Sequence, residues 1–74
     1  MPYVVDLENR FTYHKPSGTQ PQRYEQIRSE GKKLAQLLLD LCPESRELSL
    51  ALTELETSLF WANASIARNE NPTE

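Results

Sequence analysis

The chain has 74 residues, eight of them Lys or Arg and eleven Asp or Glu, for a net charge of -3 at pH 7. One small domain of this size has a core worth only about 3–5 kcal/mol of net stability, so self-association is expected. The single cysteine, Cys42, excludes an internal disulfide, the lack of a Cys/His cluster weighs against a zinc site, and no apolar stretch approaches the roughly 20 residues of a membrane span.

From the N-terminus, Tyr3, Val4, Val5 and Leu7 favour an extended conformation, followed by Phe11-Thr12-Tyr13-His14-Lys15-Pro16 and the turn signal Ser17-Gly18-Thr19. Residues 1–18 therefore read as an extended arm. A helix is predicted over 19–41, with Pro21 suited to its first position because its missing N–H has no helical partner there. Its positions Tyr24, Ile27, Gly31, Leu34, Leu38 and Leu41 alternate by three and four, the spacing of a coiled-coil seam. Gly31 on that seam would let a partner helix approach closely.

Cys42-Pro43-Glu44-Ser45 is the break, since the residue before Pro is driven out of the α region. A second helix is predicted over 43–68, with Glu44 in its first turn complementing the dipole. It carries Leu48, Leu52, Leu55, Leu59, Ala62 and Ile66 at the same alternating spacing. So short a connection makes it fold back antiparallel. The tail, 69–74, has nothing to bury and is expected to fray. The fold class is thus all-α: an antiparallel two-helix hairpin with an extended N-terminal arm.

The two seams leave apolar side chains over. At 100° per residue, Leu50 and Trp61 fall roughly opposite the seam of the second helix, with Phe60 on its flank, while Leu37 and Leu39 lie to either side of the seam of the first. Exposed apolar surface of this kind marks an interface, so a helical homo-oligomer is expected. The alternative is that the arm folds over Trp61.

Six of the eight basic residues fall between Arg10 and Lys33, against two acids, Glu25 and Glu30, a local charge of +4 on an otherwise acidic chain. A nucleic-acid polymer calls for a wider basic stripe, so the pattern fits a small, compact anion better. Arg28 and Lys32, four apart on one helix face, repel each other unless an anion joins them. Tyr13 and His14 could offer a flat surface for a base and polar tips for a phosphate. A solvated basic face fits the same composition. Near the end of the second helix, Asn63 offers an amide and Arg68 a phosphate fork, although a cation there also suits the helix dipole. One His and few aromatics weigh against an acid/base centre, so no enzyme, catalytic residue, metal or cofactor is expected. The N-terminus lacks a basic segment followed by an apolar run, and a cytoplasmic protein with no membrane contact is expected.

The ordered series Phe11-Thr12-Tyr13-His14-Lys15-Pro16, Gln20-Pro21-Gln22-Arg23-Tyr24-Glu25-Gln26-Ile27-Arg28, Leu41-Cys42-Pro43-Glu44-Ser45-Arg46-Glu47 and Trp61-Ala62-Asn63-Ala64-Ser65-Ile66-Ala67-Arg68-Asn69 resembles the helical hairpin shared by phage anti-CBASS protein 2 and the C-terminal part of Thoeris anti-defence protein 1. The resemblance covers residues 11–69. It implies a hexamer of hairpins that acts as a sponge in the cytoplasm of an infected bacterium, binding cyclic oligonucleotide second messengers without cleaving them. Cyclic dinucleotides such as cyclic GMP-AMP would lie between protomers, with Tyr13, His14 and Lys15 of the arm and Arg28 or Lys32 as counterparts of the family's contacts. Cyclic trinucleotides would lie in a separate pocket where hairpin ends meet, with Asn63, Ser65 and Arg68 as counterparts. The rival reading is an oligomeric hairpin that regulates a host protein through Trp61, Phe60 and Leu50.

Overall fold

The computed structural model describes residues 6–70. These form three helices: α1 (Leu7–Phe11), α2 (Gln20–Leu41) and α3 (Arg46–Asn69). The chain belongs to the all-α class, and α2 and α3 make the hairpin.

Each boundary has a local cause. Ser45 caps α3 by accepting a hydrogen bond from the Leu48 amide at 3.1 Å. That cap starts α3 at Arg46 rather than at the predicted Pro43, and the acid in its first turn is Glu47, not Glu44. Cys42 is extended (φ -107°, ψ 140°), as a residue before proline must be, and its N–H closes α2 on the Leu38 carbonyl. α2 begins at Gln20, one residue later than predicted, after a turn in which Gly18 has φ +57°, the left-handed region that glycine enters without steric cost.

The arm differs from expectation. Leu7, predicted as extended, opens the single-turn helix α1, because the Asp6 carboxylate accepts from the Asn9 amide at 3.1 Å and supplies an N-cap. Tyr3, Val4 and Val5 lie outside the described residues. The tail also departs from the frayed 69–74 predicted. Asn69 is the last residue of α3, and Glu70 is held by α2; residues 71–74 lie outside the description.

The seam of α3 packs as spaced, with Leu48 buried and Leu52, Leu55, Leu59, Ala62 and Ile66 half-buried. On α2 the seam shifts by one position midway. Leu34 and Leu41 are 44% and 72% exposed, and the half-buried residue after Gly31 is Ala35. A straight helix of 3.6 residues per turn drifts from a 3.5-residue repeat, so positions matched to the heptad walk off the contact line unless the helices supercoil. Gly31 sets the spacing. A Cβ built there would stand 2.3 Å from Leu59 Cδ1 and 3.3 Å from its Cγ, so Leu59 occupies the volume that any other residue would fill.

The hairpin is elongated, 48 × 30 × 21 Å with a radius of gyration of 15.7 Å, against about 11 Å for a compact chain of this length. Two helices cannot enclose a core from all sides. Leu37, Leu39, Leu50, Phe60 and Trp61 are accordingly exposed, as are Leu7 and Phe11. Trp61 is 62% exposed, and the described part of the arm does not shield it. The arm is tied instead to the end of α3, where the Asn9 side chain donates to the Arg68 carbonyl at 3.0 Å. No helix among the described residues is long and apolar enough to cross a membrane.

Gly31→Leu gains helix propensity, so any loss of stability reports packing alone. Overpacking against Leu59 is expected to cost about 1–3 kcal/mol in urea unfolding followed by circular dichroism. Leu59→Ala in the same chain should return part of it, and two additive losses would remove Gly31–Leu59 as the close contact.

Candidate functional site

At the open end of the hairpin, α2, α3 and the arm enclose a groove of about 360 Å³. Tyr24 and Arg28 line it from α2, Asn63, Ala64, Ala67 and Arg68 from α3, and Arg10, Thr12 and His14 from the arm. Arginines from three segments thus line one groove. The small side chains Ala64 and Ala67 keep its α3 wall low, which leaves room beside Asn63.

The arm is placed by Asn9. Its backbone amide bonds Asp6, its side chain bonds the Arg68 carbonyl, and its own carbonyl lies 2.7 Å from His14 Nε2. A carbonyl only accepts, so His14 carries its proton on Nε2, and Nδ1 is the ring nitrogen available to another group. Asn63 Oδ1 is buried with no hydrogen-bond partner, an acceptor that a ligand N–H would satisfy. Arg28 Nη1 donates to Glu25 at 2.6 Å on the solvent side of α2, so an anion entering the groove competes with Glu25 for that guanidinium.

A second set of contacts closes the same end of the hairpin. Arg23 grips Glu70 through two bonds of 2.5 Å, and Gln20, which is only 5% exposed, donates from Nε2 to the same carboxylate at 3.1 Å. Gln20 Oε1 accepts from the Ser17 amide, so one side chain joins the arm's turn to the end of α3. Bonding to Arg23, then to Gln20, lowers the Glu70 pKa to about 2.

Four of the residues singled out in the sequence, His14, Arg28, Asn63 and Arg68, line this groove together within one chain. The family resemblance divides them between two pockets of an oligomer. Tyr13 is 80% exposed and, like Lys15 and Ser65, lies on the surface outside the groove's lining. Lys32 lines a different groove nearer the hairpin turn, of about 340 Å³, with Gly31, Leu39, Leu52, Leu55 and Leu59. Sequence reasoning did not pick out Arg10, Tyr24, Asn9, Gln20 or Glu70 as parts of this end. Arg10 and Tyr24 lay inside the basic, aromatic window and could have been found there. Asn9–Arg68 and Arg23–Glu70 are 59 and 47 residues apart, pairings that only the hairpin register reveals.

In comparison with known proteins, the sequence model of the family described as "Acb2/Tad1, hairpin domain" matches residues 4–67. No curated protein and no solved structure matches the chain.

The Glu70 clasp sets an acid limit. Its folded pKa lies below the unfolded carboxyl value, so its stabilisation is complete above about pH 4.5 and disappears as pH falls toward about 2. Amide exchange in the last turn of α3 should quicken over that window relative to the middle of the helix. Glu70→Gln should show fast exchange already at pH 6; unchanged exchange in the variant would remove the clasp's role.

Proposed function

We propose, from the premise that this chain belongs to the Acb2/Tad1 hairpin-domain family, that it is an anti-defence sponge: a non-enzymatic homo-oligomer, on the hexameric plan of the family, that sequesters cyclic di- and trinucleotide second messengers. The observation that carries this reading is the convergence of Arg10, Arg28 and Arg68 on one groove with His14 and the unpartnered Asn63 oxygen. Guanidiniums bind phosphate through paired N–H donors. An acceptor buried beside them suits the N–H edge of a base, and Tyr24 supplies an aromatic wall. A cyclic oligonucleotide offers both chemistries in one compact anion.

Sequestration requires affinity and no chemistry. Cations on a helical frame supply the affinity with little ordering cost, and submicromolar binding, beyond about 8 kcal/mol, is the relevant scale for holding a messenger from its effector. Tyr13, Lys15, Lys32 and Ser65 point outside this groove in the single chain, and their role in binding would be to complete a site from a neighbouring protomer. The second reading, regulation of a host protein by contact, draws on Phe60 and Trp61, 64% and 62% exposed on α3.

The test is to incubate the protein with cyclic GMP-AMP or cyclic tri-AMP, filter, and quantify free nucleotide by chromatography before and after protease digestion. Depletion followed by intact recovery is the expected result. Depletion without recovery would indicate an enzyme, and no depletion would favour the host-protein reading. Arg28→Ala and Arg68→Ala should each weaken binding by about 10- to 100-fold, as expected for loss of a hydrogen bond to a charged group. Glu25→Gln should strengthen it by about two- to fivefold, because an exposed ion pair of this size no longer competes for Arg28.

A further inference from the structure

α1 is a helix of five residues, none of them buried. Leu7 and Phe11 are four apart and therefore form one apolar stripe, 63% and 81% exposed. So short a helix does not persist in water on its own hydrogen bonds, and the Asp6 cap satisfies one of its amides. Its own chain holds it by the polar contacts of Asn9 and leaves the Leu7–Phe11 stripe uncovered.

The hairpin carries a surface of the matching kind. The groove near the turn is walled by Leu39, Leu52, Leu55 and Leu59, with Lys32 on the α2 side and Glu56 on the α3 side. Gly31 lies between these walls with Leu59 packed against it. The α1 of the same chain cannot fill it. Asn9, within α1, is bonded to the Arg68 carbonyl, and Arg68 lies nine residues beyond Leu59 and sixteen beyond Leu52, about 13 and 24 Å along α3.

We propose that α1 of one copy lays its Leu7–Phe11 stripe into this groove of a second copy, with Glu8 set against Lys32. The proposal rests on the self-assembly in the reading above and not on its ligand. Glu8 follows Leu7 on the flank of the stripe and is opposite in sign to Lys32, so the seated arm joins a charge pair as well as apolar surfaces. Every copy has one arm to give and one groove to fill, and a closed assembly satisfies all of them. Thr12 and His14 follow α1 directly, so the exchange also fixes the arm wall of each anion groove.

Cross-linking and sedimentation test it on the full chain. In a Cys42→Ser background, Phe11→Cys protein mixed with Leu39→Cys protein should form a disulfide between the two chains under mild oxidation, identified by mass spectrometry of the linked peptides. Leu50→Cys, on the far side of α3, is the control and should not. Separately, Leu7→Ser with Phe11→Ser should raise the dissociation constant for self-association at least tenfold while leaving helical content unchanged. Glu8→Lys should weaken association and Lys32→Glu should restore it in the double variant.

A Phe11–Leu50 cross-link as abundant as Phe11–Leu39 overturns the proposal. So does an oligomer whose mass and dissociation constant ignore the Leu7 and Phe11 substitutions, although self-assembly would then stand. A wild-type chain that is monomeric at high micromolar concentration overturns both the exchange and the self-assembly, and nucleotide depletion measured on the same sample reports on the ligand reading independently.

Discussion

The contact between Gly31 and Leu59 governs the rest of the architecture. Leu59 sits where a Cβ would be, so α2 and α3 meet closely at mid-length. Helices that touch over one line cover one face each, and what they cover is modest: Leu48 is the only buried hydrophobic among the described residues. The remaining apolar side chains stay on the surface because a pair of helices offers no third body to lay over them. The hairpin is therefore exposed and elongated, and a leucine-walled groove lies beside the close contact of Gly31 with Leu59.

The open end of the hairpin follows a different rule, since it is held by polar contacts. Gln20, Arg23 and Glu70 join the start of α2 to the end of α3, and Asn9 and His14 fasten the arm across them. These bonds bring together the segments that carry Arg10, Arg28 and Arg68. Arg28, in the third turn of α2, and Arg68, in the last turn of α3, come from antiparallel helices and line the same groove. Like charges brought together in this way have an electrostatic cost, and an anion between them reverses its sign. Glu25, paired with Arg28 at 2.6 Å, relieves part of that cost from the solvent side.

The two grooves differ in chemistry. One is basic and polar and lies at the arm end; the other is apolar and lies toward the turn. The arm is common to both, since its residues after α1 wall the first groove while the exposed stripe of α1 matches the second.

Much of the fold was legible in the sequence. The break at Cys42-Pro43, the three-and-four spacing of α3, the close approach at Gly31 and the turn at Gly18 are each dictated by the local chemistry of proline, leucine or glycine. So was the family, carried by ordered motifs along the chain. What the sequence placed wrongly has local competitors as its cause: the Ser45 side chain captured the Leu48 amide and delayed α3, Asp6 captured the Asn9 amide and coiled an arm predicted as extended, and helical drift replaced Leu34 by Ala35 on the seam. The candidate site was half legible. His14, Arg28, Asn63 and Arg68 stand out by residue type, but nothing local says that they share one groove, or that Tyr13, Lys15 and Ser65 face away from it. Those facts depend on the axial register of two antiparallel helices and on a 59-residue hydrogen bond from Asn9 to Arg68. Residue chemistry is a property of the sequence; which residues face one another is decided by packing, and only the tertiary structure contains it.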